Sequence, residues 1–152
     1  MIRLIETATT TLKRETAFKY VGDFGNVHNW DPGVITATKS TEGAPGVGTA
    51  YDLVLSFSGR ETEMRYVITE HDPGRKIVLE GTGARVHAID VIEFDDRPGG
   101  TQVTYTADLS LTGFSRFFEP LMKSRIAKVG EDGGIGMRRW LNELEVAVQK
   151  SV

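Results

Sequence analysis

Cysteine is absent from the 152-residue sequence, which removes disulfide frames, thiolate nucleophiles and cysteine-ligated metal sites together. It also agrees with a reducing compartment, and the expected location is cytoplasmic. No apolar run approaches the roughly 20 residues a bilayer-spanning helix needs, so stable membrane insertion is not expected. The opening Met1-Ile2-Arg3-Leu4-Ile5-Glu6 meets charge too early for a secretory leader. An excess of basic charge is also lacking. Eighteen Lys and Arg stand against 21 Asp and Glu, for a formal net charge of −3, and nucleic-acid binders usually present a basic face. No repeat, low-complexity tract or linker divides the chain. With 39% hydrophobic and 26% charged residues, it reads as one globular domain over residues 1–152.

What is present is a change of hydrophobic period along the chain. Ile2 to Leu12 is strand material, Arg14 to Val21 carries Ala17, Phe18 and Val21 at helical spacing, and Val27 to Trp30 forms one more short turn before Asp31-Pro32-Gly33. A long all-strand section follows. Its inward rows are Tyr51, Leu53, Leu55 and Phe57, then Met64, Tyr66 and Ile68, then Val86, Ala88, Asp90 and Ile92, then Val103, Tyr105, Ala107 and Leu109. Ser58-Gly59, Asp72-Pro73-Gly74 and Asp96-Arg97-Pro98-Gly99-Gly100 are turn sequences between consecutive strands, the mark of an antiparallel meander. After Gly113 the helical period returns. Pro120 suits a first helical position, and Leu121, Met122, Ile126, Val129, Met137, Trp140, Leu141, Leu144 and Val148 recur at threes and fours. Gly130, Gly133, Gly134 and Gly136 interrupt this stretch, and a kink or break near Gly133 is expected.

Strand, two short helices, six strands and a long terminal helix is the α+β order of the helix-grip fold, a curved antiparallel sheet wrapped around a long C-terminal helix. The sequence resembles the START-like (SRPBCC) superfamily, in particular its polyketide cyclase/dehydrase and lipid-transport branch. The residues that carry the likeness are Asn29-Trp30-Asp31-Pro32-Gly33-Val34, the hairpin from Ile92-Glu93-Phe94 through Gly99-Gly100-Thr101-Gln102-Val103-Thr104-Tyr105, and Met137-Arg138-Arg139-Trp140-Leu141-Asn142-Glu143-Leu144-Glu145. The resemblance covers essentially the whole chain. It implies an internal cavity for a small hydrophobic molecule, and only some relatives are enzymes.

The expected ligand-binding residues follow from the inward rows and from the helix stripe Ile126, Val129, Gly133, Gly136 and Trp140. They are Trp30, Tyr51, Leu53, Leu55, Phe57, Met64, Tyr66, Ala88, Asp90, Ile92, Tyr105, Ala107, Val129, Gly133, Gly136 and Trp140. Two glycines on the stripe leave volume where large side chains would otherwise fill the core; the alternative is that they only bend the helix. Asp90 is the one inward carboxylate, a candidate base or anchor for a ligand hydroxyl, or else a structural contact of Tyr66 or Tyr105. His28, beside Trp30, is the second candidate for proton transfer. His28, His71 and His87 have no metal-site spacing, and no metal or cofactor is expected. Gly130-Glu131-Asp132-Gly133-Gly134-Ile135-Gly136 lacks the lysine and hydroxyl of a phosphate loop. Lys123, Arg125 and Lys128 read as the solvated side of the helix.

Two functions fit. One is binding or carriage of a lipid-like or aromatic molecule, entering near Trp30 and the Ser58-Gly59 loop. The other is an aromatase/cyclase or dehydratase acting on a carbonyl substrate in the same cavity, with Asp90 or His28 moving a proton and a tyrosine hydroxyl stabilising an oxyanion. A monomer or homodimer is expected.

Overall fold

The computed structural model describes residues 1–57 and 59–151. In chain order it contains β1 (Ile2–Thr10), α1 (Arg14–Val21), a short 3-10 helix (Phe24–Asn29), β2 (Val34–Lys39), β3 (Ala50–Phe57), β4 (Arg60–Asp72), β5 (Lys76–Gly83), β6 (Val86–Arg97) and β7 (Gly100–Leu111). A second 3-10 turn (Gly113–Phe118) then leads into α2 (Glu119–Lys150). The strands form one antiparallel sheet in the order β1-β7-β6-β5-β4-β3-β2. Strands β2 to β7 are a meander, and β1 returns to pair with β7 from Ile2↔Leu109 to Thr10↔Thr101. The sheet curls into a half-barrel around α2, which is the helix-grip fold.

Short turns hold the meander in register. Arg97 pairs with Gly100, and Gly99 between them takes φ +81, a left-handed value that a residue with a Cβ adopts only under strain. Phe57 pairs with Arg60 in the same way; Ser58 of that expected turn lies outside the described residues. Alternation along each strand puts one face inside. Leu53, Met64, Tyr66, Ile68, Ala88, Asp90, Ile92 and Val103 are all buried, and fully burying a large aliphatic side chain contributes roughly 1.5–3 kcal/mol. Phe18 of α1 covers one end of the sheet edge-on to Phe94, ring centroids 5.2 Å apart.

The long helix differs from expectation at its glycines. Helix α2 runs unbroken through Gly130–Gly136, with Pro120 in its first turn; no break occurs at Gly133. The glycines serve close approach instead. A Cβ at Gly136 would overlap the carbonyl oxygen of Trp30, one at Gly134 would overlap the Glu6 carboxylate, and one at Gly130 would sit 2.9 Å from Leu4. Without these side chains the helix settles onto β1 and onto the turn after the first 3-10 helix. Among the described residues, no helix is long and apolar enough to cross a membrane.

Candidate functional site

Between the curled sheet and α2 lies a partly open cavity of about 130 Å³. The sheet contributes Leu53 and Leu55 of β3, Tyr66 of β4, Asp90 of β6 and Tyr105, Ala107 and Leu109 of β7. Helix α2 contributes Val129, Gly133 and Met137, and Trp30 and Phe24 close a third side. Gly133 is the glycine that leaves room. The nearest atoms to a Cβ built there are those of the Asp31 carboxyl at 3.8 Å and the Trp30 ring at 3.9 Å. Trp30 is buried, its ring edge-on to Tyr105 with centroids 5.4 Å apart.

Asp90 is the polar centre of this apolar space. It is 3% exposed, held inward by its register between Leu79 of β5 and Ala107 of β7. The Tyr105 hydroxyl donates to Asp90 Oδ2, reaching diagonally from the neighbouring strand. Asp90 Oδ1 is buried and has no hydrogen-bond partner among the described residues. Burial removes the hydration that an ionised carboxylate needs, and this lifts the Asp90 pKa from 3.8 to about 7. The bond from Tyr105 opposes the rise, while the charges of Asp31 and Asp108 add to it. Tyr66 and Tyr105 are themselves raised by burial and by the charge of Asp90, so both hydroxyls stay protonated and able to donate. The contact of the Tyr66 hydroxyl is the Met64 thioether at 3.9 Å, a weak acceptor.

Nine of the residues expected from sequence therefore line the cavity: Trp30, Leu53, Leu55, Tyr66, Asp90, Tyr105, Ala107, Val129 and Gly133. The others are elsewhere. Ala88 and Ile92 are fully buried in the core and do not line the cavity. Met64 and Trp140 are buried beside it in the same core, and Tyr51 packs on Phe24 with centroids 6.0 Å apart. Phe57 is at the end of β3, only partly buried. Gly136 is occupied by its approach to Trp30. His28 is exposed and outside the cavity wall. His71 packs against Phe18, ring centroids 5.5 Å apart, and His87 bonds Glu80 at 2.9 Å.

Sequence reasoning missed two polar wall residues, Glu6 and Asp31. Glu6 pairs directly with Tyr105 across β1 and β7, so the alternation Ile2, Leu4, Glu6, Ala8 would have pointed it inward. In sequence Asp31 shows as a turn residue and as part of the segment that carries the family likeness, not as a wall residue. It does make the turn, its Oδ1 accepting from the Gly33 amide at 2.8 Å, yet its other oxygen faces Gly133. Burial raises its pKa, the Gly33 bond opposes this, and Asp132 of α2 adds to it.

A curled antiparallel sheet gripping one long helix around an apolar cavity defines the START-like, helix-grip fold. The family model for polyketide cyclase/dehydrase and lipid transport matches residues 1–145, and the chain belongs to that family. Among solved structures it is similar to the ZhuI aromatase/cyclase of Streptomyces sp. R1128, with 16% identity over 96% of this chain and 94% of that one at a TM-score of 0.76. A START superfamily protein of Mycobacterium smegmatis aligns at TM-score 0.77 with 13% identity, covering 93% of this chain and 98% of that one. A protein of Thermus thermophilus aligns equally well, at TM-score 0.77 and 14% identity over 93% and 98%. At such identities the likeness speaks for the fold alone. Comparison with curated proteins gives no match.

Proposed function

We propose that the chain binds a small, largely apolar molecule of about one aromatic ring in this cavity, with the polar end of that molecule at Asp90 and Tyr105. The observation that carries this reading is that Asp90 lines the cavity while its Oδ1 is buried without a hydrogen-bond partner among the described residues. Buried polar groups are normally satisfied, and leaving one unsatisfied costs about 1–3 kcal/mol. A ligand group completes the set. Size supports the same conclusion, since an apolar cavity of roughly 150 Å³ accommodates benzene and this one measures about 130 Å³.

The test is calorimetric titration with toluene and phenol. Saturable binding of both is expected, and Ala107→Leu, which fills the cavity from β7, should abolish it while leaving the chain folded. Absence of binding, or binding indifferent to Ala107→Leu, refutes the reading.

A second reading has its own support in the Asp90 pKa of about 7. A carboxyl that titrates near working pH can both deliver and accept a proton, and the Tyr66 hydroxyl, whose present acceptor is only the Met64 thioether, is the donor free to hold a carbonyl oxygen. This is an aromatase/cyclase or dehydratase acting on a carbonyl compound. Turnover that disappears in Asp90→Asn while ligand binding persists would favour it over carriage.

A further inference from the structure

The charge of the cavity wall is one-sided. Its ionisable side chains are Glu6, Asp31 and Asp90 with the hydroxyls of Tyr66 and Tyr105, and no lysine, arginine or histidine among the described residues lines it. Arg138 reaches Glu6 from outside at 3.8 Å, and Lys128 binds Asp132 at 2.6 Å rather than Asp31. No basic side chain in the wall therefore neutralises Asp90 or Asp31. A carboxylate or enolate placed beside Asp90 would meet like charge in a poorly hydrated space, where such repulsion is least screened. A protonated amine would meet the partnerless Oδ1, the second oxygen of Asp31 and, on its carbon skeleton, the ring of Trp30.

We propose that the ligand of this cavity is an organic cation of about one ring, a primary or secondary amine on an apolar skeleton, bound through its ammonium N–H groups to Asp90 Oδ1. This rests on the reading of the cavity as a ligand site and goes beyond it by assigning the charge of the ligand. Each part of the wall has a role in the selection. Tyr105 occupies Oδ2 and so leaves Oδ1 as the oxygen free to take a ligand donor; Tyr66 adds a hydroxyl whose own partner is weak; Gly133 makes the space in which the head group sits. Binding of a cation also draws Asp90 into its ionised form. The groups facing Asp90 are Tyr105 of β7, Tyr66 of β4 and Asp31 before β2, with Glu6 of β1 on the same wall, Asp108 behind β7 paired to Arg3, and Asp132 of α2 beyond Asp31. All of these wall groups except the tyrosines are acidic, so a proton displaced by the amine is expected to come from Asp90.

The experiment compares benzylamine, benzyl alcohol, benzoate and toluene by calorimetry at pH 8, four probes of one shape and different charge. Benzylamine is expected to bind about tenfold or more tighter than benzyl alcohol or toluene, with benzoate weakest. In Asp90→Asn the advantage of the amine should fall to about twofold or less, toluene being unaffected. Wild-type titrations of benzylamine at pH 6, in buffers of differing ionisation heat, should show net proton release that benzyl alcohol does not cause; this reads the same carboxyl even if the variant does not fold. Toluene binding without any preference for the amine, or tightest binding of benzoate, overturns the cation assignment and leaves the ligand site standing. Failure of all four probes overturns both.

Discussion

Asp90→Asn isolates the energetic consequence of burying a carboxyl in this fold. The amide keeps the shape and still accepts from Tyr105, but it has no proton to lose. In the wild type, burial moves the carboxyl from 3.8 to about 7, so the folded chain holds this proton more tightly than the unfolded chain does. Stability from this group is complete at pH values below the unfolded pKa. It declines as pH rises from there through about 7, and levels off above. Between pH 5 and pH 9 the folded state must therefore ionise Asp90 against about two pH units of preference, worth about 3 kcal/mol. At pH 5 the variant should be less stable than wild type by about 1 kcal/mol, because the new amide N–H lacks an acceptor. At pH 9 the order reverses, and the variant is more stable by about 2 kcal/mol. Urea unfolding of both proteins at five pH values from 5 to 9 measures this, and titrations common to the two cancel in the difference. With a slope of about 2 kcal/mol per molar urea, the two midpoints should move relative to one another by roughly 1.5 M. A difference between the proteins that stays constant from pH 5 to pH 9 refutes the assignment of a buried, ionisable Asp90.

Tyr105→Phe removes the donor to Asp90 Oδ2, and its cost should be about 1 kcal/mol at pH 5 and about 2–3 kcal/mol at pH 9, where the acceptor is charged; equal costs by urea unfolding would contradict that bond. Gly136→Ala and Gly133→Ala should have opposite signs in thermal unfolding. The first forces a Cβ onto the Trp30 carbonyl and should destabilise by about 2 kcal/mol, while the second meets only ordinary contacts and should gain up to about 1 kcal/mol of helix propensity. Losses of the same size at both positions would mean that close approach is not what distinguishes them. Phe114 is 87% exposed, so Phe114→Ser should change unfolding free energy by no more than about 0.5 kcal/mol; a larger loss would reveal packing around that ring.

The order of elements was legible because hydrophobic period is a local property. Tyr51, Leu53 and Leu55 alternate within one strand, and the shift to threes and fours after Gly113 needs no knowledge of what the helix packs against. The break expected near Gly133 does not occur, for the converse reason. Propensity charges each glycine of α2 a helix penalty, and from that alone a break near Gly133 follows. Tertiary packing decides otherwise, because Trp30, Glu6 and Leu4 approach so closely that side chains at 136, 134 and 130 would collide with them. A glycine that weakens the isolated helix is what allows the packed one.

The wall of the cavity was legible where a single element carried the signal, as on the inward rows of the strands and the stripe of α2. Asp90 stands out among Ala88 and Ile92 on its own strand, and register then delivers Tyr105 to it. Its acidic neighbours come from distant parts of the chain. Glu6 is placed by the pairing of β1 with β7, a contact between strands far apart in sequence that no local pattern announces, and Asp31 by a turn whose second oxygen meets α2. In sequence Glu6 and Asp31 are a strand carboxylate and a turn aspartate, ordinary solvated charges by the usual prior, and only Asp90 reads as inward. Folding places them around one apolar space whose described lining holds no cation. The preference of the site for ligand charge is thus a property of topology, and changing it should need only one of the three. Asp31→Asn leaves Asp90 and its Tyr105 bond in place while removing a negative neighbour, so by the sign of its effect on Asp90 it should lower the Asp90 pKa and weaken benzylamine binding at pH 8 without abolishing it. An unchanged amine affinity in that variant would confine recognition to Asp90 alone.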